Sequence, residues 1–369
     1  SLEIIVDTEV PPISLLDMVD DGGCLTAPDN TTSDTTPSFF GYAEADAVMR
    51  FYVDMNANGT LELGTDLRLG ETVAKPYDGN NQFPEGFYEF TTPIDLNKIG
   101  LGRDGLRTIF ATAEDVAGNV TPENLATVLR IFIDTQGPQV TSVYVTSDPG
   151  YDLFDPKPST DGPTPLVNQL TVRVRDLPNR VGPEFLYPAL VESIAEHTGH
   201  YHLVGDANGI IPIESVQFIS DPVVAGQPAA GTLLLTFVNA LPDDRFTFTI
   251  EDNLTDPVCN NLDSESNTDE PQEIPTFPSG DTVPGHDFVA RFTVDTRPEI
   301  GVWAAGNTWV DTNGNFSFDP QNVHYTNRDI VYQMGYTSDD MFAGNFPEAA
   351  GASADGFDTP ASNRRGGGS

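Results

Sequence analysis

The chain has 369 residues, 38% of them hydrophobic, and it carries 56 acidic against 17 basic side chains, a formal net charge of −39 at pH 7. So strong a negative charge repels phosphate backbones and anionic lipid, which argues against nucleic-acid binding and membrane-surface binding. The same charge opposes folding by self-repulsion, which bound divalent cations would relieve, although a solvated acidic surface explains the composition equally well.

One pattern occurs three times and divides the chain: an apolar run ends in Asp-Thr, and proline follows within three residues. The aspartates of the pattern are Asp7, Asp134 and Asp295. Because proline cannot donate the hydrogen bond of a central strand, each copy predicts a last strand and then a stiff connection. The predicted divisions are a strand at residues 1–8 that closes a preceding domain or is donated to a neighbour, sandwiches at 9–135 and 136–296, a short β module at 297–361, and a flexible tail at 362–369.

In the first predicted sandwich, Ala47, Met49, Phe51 and Val53 alternate with Val48, Arg50 and Tyr52, as expected for a strand with one core face, and further strand-like runs follow. These runs lie near residues 67–74, 86–90, 106–113 and 125–133. They predict the six or seven strands of an immunoglobulin-like sandwich. The stretch Thr108–Val120 contains an Asp-x-Ala-Gly-Asn turn and is followed by a strand and Asp134-Thr135. It resembles the closing half of the tandem bacterial Ig-like repeats of large surface proteins and adhesins. This resemblance implies a non-catalytic spacer or adhesive module, often stiffened by calcium.

The second predicted sandwich has strand signals near residues 140–146, 170–174, 231–238, 246–251 and 288–294. Its stretch Thr232–Leu262 is similar to a second, more divergent class of bacterial Ig-like domain. Two insertions interrupt it. Leu186, Leu190 and Ile194 at a spacing of four predict a helix from Pro183 to about His197. An acidic loop between Glu251 and Asp281 is expected to be solvated or ion-bound.

Two loops place oxygen-bearing side chains at positions 1, 3, 5 and 9, a spacing that suits calcium, which takes six to eight oxygen ligands. Their candidate ligands are Asp54, Asn56, Asn58 and Glu62 in one loop, and Asp311, Asn313, Asn315 and Asp319 in the other. The twelfth positions are Thr65 and Asn322, so neither loop is an EF-hand. The alternative is an Asn/Gly-rich hairpin turn that binds no ion.

The residues around Asp311 carry a second resemblance. Gly306–Asn315, followed by Asn327–Gly335, Phe342–Phe346 and Ala354–Asp358, resembles one FG-GAP-type repeat, the calcium-looped blade of many surface propellers. The resemblance implies a calcium site at Asp311. One blade of about 60 residues cannot close a propeller, so we expect a partial module here.

Carboxylates at the predicted domain junctions form a third set of candidate calcium ligands, namely Asp7, Asp134 and Asp295 with the turn residues Glu114 and Asp115. Carboxylates from two adjoining domains that share one calcium ion would fix the angle between those domains. The alternative is that Asp-Thr forms only a side-chain-bonded turn.

The cysteines and histidines give weaker signals. Cys24 and Cys259 fall in different predicted sandwiches, so a disulfide within one domain is not available. His197, His200 and His202 could meet one zinc ion if a helix ends near Gly199, but histidines exposed at a helix end explain them more simply. The sequence has no nucleophile elbow, phosphate loop or dinucleotide fingerprint.

The sequence therefore predicts an all-β protein of tandem Ig-like β-sandwich domains with a short C-terminal β module. Its predicted function is that of a non-catalytic, calcium-stabilised extracellular segment, structural or adhesive, of a large bacterial surface protein. The expected partners are neighbouring domains of the same or an identical chain, or a cell-surface or matrix ligand. The alternatives are a surface-fibre subunit assembled by strand donation and an accessory region of a secreted calcium-dependent hydrolase.

Overall fold

The structure is a computed structural model, and it describes the chain outside residues 1–5, 20–22, 25–29, 77–85, 155–163, 180, 182–184, 266–274, 297–299, 305, 312–329, 334–339, 345–358 and 364–369. The described residues are nearly all in β-strands, turns and irregular segments, which confirms the predicted all-β fold. Most pairings between neighbouring strands are antiparallel. No helix in the described ranges is long and apolar enough to cross a membrane.

Within its described residues, the first sandwich has nine strands in two facing sheets. The strands are β1 Ile13–Met18, β2 Thr31–Thr32, β3 Ser38–Ala43, β4 Val48–Val53, β5 Leu67–Val73, β6 Lys75–Pro76, β7 Gly86–Thr91, β8 Gly105–Glu114 and β9 Thr127–Ile133. One sheet has the order β1-β3-β7-β6 and the other the order β2-β9-β8-β4-β5. Alternate residues point inward because the side-chain period of a strand is two. The resulting core is aromatic at its centre, where the rings of Phe51 and Phe90 stack with centroids 4.5 Å apart.

The described part of the second sandwich has a similar arrangement with eight strands. They are β10 Gln139–Val145, β11 Gln169–Asp176, β12 Tyr201–Gly205, β13 Gly209–Ile210, β14 Ile213–Ser220, β15 Ala229–Phe237, β16 Asp244–Ile250 and β17 Phe288–Val294. The sheets have the orders β10-β11-β15-β14 and β13-β12-β16-β17. If β10 is matched to β1 and the seven strands β11–β17 are matched in order to β3–β9, the two sandwiches have the same strand order, and β2 has no counterpart. That order is typical of immunoglobulin-type sandwiches.

The predicted helix from Pro183 to about His197 is wrong. Within the described part of this segment, only Glu192–Ala195 is α-helical, and a single 3₁₀ turn follows at Thr198–His200. Pro188 lacks the amide that a helix interior requires, and a proline disfavours helical geometry in the residue before it. Val191 instead donates its amide to the carbonyl of Thr255, which ties the segment to the loop after β16.

The C-terminal residues form small sheets. Strands β18 Ile300–Ala304, β19 Asn307–Asp311 and β20 Ile330–Gln333 make a three-stranded antiparallel sheet, and β21 Asp340–Gly344 pairs with β22 Thr359–Asn363. Strand β22 continues two residues into the segment predicted to be a flexible tail. The predicted FG-GAP-type module stays a prediction, because most of its loops lie outside the described residues.

The two sandwiches are in direct contact across a joint near residues 132–138. The ring of Phe132 in β9 stacks on Phe185 of the second sandwich with centroids 5.4 Å apart, and Tyr187 meets Phe132 edge-on. Arg103, in the loop before β8, donates hydrogen bonds to the carbonyl and hydroxyl of Thr282 at 2.8 and 3.0 Å. The proline-containing connection is therefore braced by side chains on both sides.

Candidate functional site

The same turn follows equivalent strands of the two sandwiches. After β8, the amide of Asp115 donates to the carbonyl of Asn119 at 3.1 Å, and the amide of Asn119 donates back to Asp115 Oδ1 at 2.8 Å. After β16, Asp256 and Asn260 make the same two hydrogen bonds at 3.1 and 2.9 Å. The asparagine Nδ2 also binds the second carboxylate oxygen in both turns. The sequences between Asp and Asn differ completely, so the end residues specify the turn.

The turn of the second sandwich contributes to a cluster of three buried carboxylates, which we call the junction cluster: Asp134, Asp176 and Asp256. All three side chains are 0% exposed, and one carboxylate oxygen of each lies within 4.8 Å of the others. Asp134 follows β9 of the first sandwich, Asp176 is the last residue of β11, and Asp256 begins the turn after β16. The cluster thus combines a residue from the connection between the sandwiches with two residues from the second sandwich.

Hydrogen bonds fix the position of two junction-cluster residues. Asp256 Oδ1 accepts the amides of Val258 and Asn260, both at 2.9 Å, and Asp134 Oδ1 accepts the amide of Gln136 at 3.2 Å. The side-chain amide of Asn260 also donates to the carbonyls of Asp134 and Gln136 at 2.9 and 3.0 Å. One asparagine therefore connects the turn of the second sandwich to the connection that leaves the first.

The first sandwich has an equivalent and more exposed group, which we call the tip cluster: Asp7, Glu44 and Asp115. Asp7 comes before β1, and its equivalent Asp134 comes before β10. Glu44 directly follows β3, and its equivalent Asp176 is the last residue of the matching strand β11. Asp115 and Asp256 begin the two equivalent turns. Asp115 is buried, Glu44 is half-buried and Asp7 is exposed. Because its members come from the same three places in the strand order, the tip cluster is the counterpart of the junction cluster.

Two carboxyl groups of the tip cluster have shifted pKa values in opposite directions. Partial burial raises the pKa of Glu44, and the negative charges of Asp115, Asp7 and Glu9 raise it further. For Asp115, desolvation opposes the shift, but the hydrogen bonds from Asn119 and from the amides of Ala117 and Gly118 hold its pKa below the ordinary value. The turn therefore favours the charged form of Asp115, whereas the surrounding charges disfavour that of Glu44.

The predicted ligands of the first calcium loop lie together and are mostly satisfied by the loop itself. Asp54 is buried, and its two oxygens accept the amides of Asn56 and Gly59 at 3.1 and 2.8 Å. Asn56 and Asn58 accept the amides two residues further along, and Asn56 donates from Nδ2 to Glu62 at 2.8 Å. Asp66, which the sequence analysis missed, closes the loop by accepting the amides of Met55 and Glu62.

The remaining predicted ligands are dispersed. Glu114 does not join Asp115 but forms an ion pair with Arg50 of the neighbouring strand. Asp295 follows β17 and exchanges backbone and side-chain hydrogen bonds with Thr164. Asp311 ends β19, while its predicted partners Asn313, Asn315 and Asp319 lie outside the described residues.

Two of the histidines contact the same glutamate, Glu251. His202 Nε2 and His200 Nδ1 lie 2.8 and 3.4 Å from the carboxylate of Glu251, and the His197 ring is 5.0 Å from that of His200. The hydrogen bond from His202, followed by those from His200 and Asn253, lowers the pKa of Glu251 against its desolvation. The contacts with Glu251 are a sufficient structural role for His200 and His202. Zinc binding by the three histidines stays an untested prediction.

A third group of carboxylates, Asp263, Glu265 and Asp281, lies near the predicted acidic loop. Asp263 is fully buried, which raises its pKa, and it accepts the amides of Asp281 and Thr282 at 2.9 Å and the side chain of Gln139 at 2.8 Å. Glu265 forms an ion pair with His286, whose pKa is raised by that hydrogen bond. These contacts are sufficient for a structural role in closing the loop.

Sequence reasoning identified one or two members of each cluster and missed the others. Asp7, Asp115 and Asp134 were predicted as ligands, but Glu44, Asp176 and Asp256 were not. The recurring Asp-x-x-x-Asn spacing at Asp115 and Asp256 is the signal that could have found Asp256. Glu44 and Asp176 carry no such signal, since each is an ordinary acid at the end of a strand. The disulfide between Cys24 and Cys259 was also missed.

The chain was compared with protein families, curated proteins and solved structures. No protein-family model matches the chain, and no curated protein matches it. Among solved structures, the chain is similar to the C-terminal domain of AspA, an antigen I/II-family protein of Streptococcus pyogenes. The two are 10% identical over 76% of this chain and 98% of that one, with a TM-score of 0.23. A TM-score this low does not indicate a shared fold.

Proposed function

We propose that this chain is a non-catalytic structural segment of an extracellular surface protein, in which calcium bound at the junction cluster fixes the angle between two sandwiches. The observation that carries the proposal is the complete burial of Asp134, Asp176 and Asp256 within 4.8 Å of one another. Buried charges are found in proteins when they are paired or coordinate a metal.

The electrostatic cost of this cluster is large. Two like charges about 4.8 Å apart repel by about 3 kcal/mol at an effective dielectric constant of ~20, so three such pairs approach the total stability of a domain, roughly 5–15 kcal/mol. A bound cation would offset this repulsion directly. Calcium is a good fit near neutral pH because its ligands are carboxylate and carbonyl oxygens.

The separation of the carboxylates also suits calcium. Oxygens bound at about 2.3–2.6 Å on opposite sides of one ion are at most about 5 Å apart. The three carboxylate oxygens of the junction cluster lie within 4.8 Å of one another, so small side-chain adjustments would let them share one ion. Because Asp134 belongs to the connection and the other two belong to the second sandwich, an ion there would couple the two bodies.

Two further observations support an extracellular setting. The Cys24–Cys259 disulfide is the kind of bond that persists in oxidising compartments. The net charge of −39 keeps such a chain soluble and leaves many carboxylates available for divalent cations. The resemblance to tandem repeats of surface proteins and adhesins supports the same setting, and the expected partners are neighbouring domains or a surface ligand.

Thermal unfolding in calcium and in EDTA tests this proposal. At a free calcium concentration about 100 times Kd, binding should stabilise the folded chain by about 2.7 kcal/mol. For sandwiches of this size, that corresponds to a rise in Tm of about 5–10 °C. Equal melting temperatures in calcium and in EDTA would contradict the proposal.

A pair of variants makes the test specific to the junction cluster. Asp176→Asn should abolish the calcium effect and should raise Tm in EDTA, because it removes one of three repelling charges. Asp244→Asn is the matched control: Asp244 is also buried, but it accepts the amides of Asn208 and Arg245 at 2.8 Å and Ala207 at 3.1 Å. It should lower Tm equally in both conditions and keep the calcium response. A full calcium response in Asp176→Asn would place the ion elsewhere.

A further inference from the structure

The disulfide joins the two sandwiches at the turn that holds the junction cluster. Cys24 lies between β1 and β2 of the first sandwich, and Cys259 lies in the turn Asp256–Asn260 of the second. The amide of Cys24 donates to the carbonyl of Pro257 at 2.8 Å. Gly23 adopts a φ of +45°, and a Cβ there would lie 2.6 Å from the Pro257 carbonyl, so this segment approaches the turn as closely as a glycine allows.

Cys259 occupies a backbone position that corresponds to a glycine in the first sandwich. Its φ is +69°, and the equivalent residue, Gly118, has a φ of +90°. L-residues seldom adopt this left-handed conformation. A Cβ placed on Gly118 would meet nothing within 4 Å, so a side chain at this position points away from its own sandwich. In the second sandwich that direction faces the first, and the cysteine side chain spans the joint.

We propose that this disulfide carries tension across the joint and so bypasses most of the two sandwiches. When tension is applied to the chain on both sides of the two sandwiches, the covalent path runs from Cys24 through the disulfide to Cys259. The 235-residue separation between the cysteines is thereby removed from the loaded path. The proposed role as a structural segment gives the bypass its use, but its existence does not depend on calcium.

The position of the bypass decides what tension can and cannot unravel. Strands β2 to β16 lie between the two cysteines and include most of both hydrophobic cores. Of the strands in the two sandwiches, only β1 and β17 lie on the loaded path; β1 pairs with β3, and β17 pairs with β16. Tension can therefore strip these two strands from β3 and β16, whereas it cannot extend the segment inside the disulfide loop.

Single-molecule stretching of the full chain, with one handle at each terminus, tests the proposal. In the oxidised protein, the extension on complete unfolding should lack the segment between the cysteines. A dithiol reductant supplies two electrons and two protons, becomes a disulfide itself and leaves two thiols on this chain. After reduction the extension should increase by about 800 Å, since an extended chain spans about 3.3–3.6 Å per residue over the 235-residue separation. Cys259 is exposed, so the reductant has access.

The double variant Cys24→Ser, Cys259→Ser is the control. It should give the long extension without reductant and should not respond to reductant. If oxidised wild-type protein already shows the long extension, the bypass is refuted. Should the double variant fold poorly, the comparison of oxidised with reduced wild-type protein still decides the question. The length difference should be the same in calcium and in EDTA, so loss of calcium binding and loss of the bypass are separate outcomes.

Discussion

The turn after β8 and the turn after β16 have the same hydrogen bonds but different surroundings. Val116 is 82% exposed and Ala117 is exposed, whereas the equivalent residues Pro257 and Val258 are buried against the first sandwich. The carboxylates follow the same trend, since the tip cluster is partly open and the junction cluster is closed. One local structure can therefore be a surface feature or the centre of a joint, depending on what packs over it. Three variant pairs examine this difference.

The largest effect is expected from removing the aspartate of each turn in the presence of calcium. Asp256→Ala should destabilise the chain by about 3 kcal/mol or more, because it removes a buried charge partner and leaves the amides of Val258 and Asn260 without an acceptor. Asp115→Ala should cost about 1–2 kcal/mol, since water can reach the more open turn. Urea unfolding in calcium measures both. Equal costs would mean that closure of the joint adds nothing.

The left-handed position of the turn should give an intermediate effect. In a Cys24→Ser background, Cys259→Gly should be more stable than Cys259→Ser by about 1 kcal/mol, because glycine adopts a positive φ without strain. Gly118→Ala should lose a similar amount in the first sandwich, where nothing obstructs the added methyl group. Paired urea titrations measure these differences. If Cys259→Gly were the less stable of the two, the left-handed backbone at residue 259 would not be the source of strain.

The smallest effect concerns pH and the tip cluster. The raised pKa of Glu44 means that the folded chain holds this proton more tightly than the unfolded chain does. Its contribution to stability is therefore fully present below the ordinary value of 4.5 and is lost as the pH rises through the folded-state pKa. In EDTA, wild-type protein should lose stability over this window relative to Glu44→Gln.

Melting curves of the two proteins at a series of pH values check this expectation. Asp115→Asn is a useful comparison, because the lowered pKa of Asp115 contributes stability that is lost as the pH falls. The two variants should change the pH dependence in opposite directions. Parallel curves for wild type and Glu44→Gln would show that Glu44 does not interact with its acidic neighbours in the folded state.

Local patterns predicted many of the sandwich strands, because inward and outward side chains alternate along each one, but they missed β1, β3, β12 and β14. The run from Ala229 to Phe237 alternates without interruption between buried and half-buried positions. The helix prediction for 183–197 failed because a spacing of four among Leu186, Leu190 and Ile194 was given more weight than Pro188. In the structure Leu190 is buried in a bend before the short helix and Leu186 is 38% exposed, so the spacing did not reflect one helical face.

The candidate site was predicted only in part. The aspartates of the Asp-Thr pattern stood out because proline marked them, and this led to Asp7 and Asp134. Their partners Glu44 and Asp176 lie in other strands, and among 56 acidic residues nothing local distinguishes them. The aromatic contact between Phe132 and Phe185 was equally invisible, because an apolar residue on a strand is first assigned to its own core.

The sequence by itself determined the all-β class, many of the strand positions and the turn after β8, because alternation and turn chemistry act over a few residues. Only the tertiary structure decided which carboxylates meet, which turn is covered and that Cys24 pairs with Cys259. These contacts join residues far apart in the chain, 235 apart for the cysteines. Their formation depends on how two completed sandwiches pack, and no local propensity encodes that arrangement.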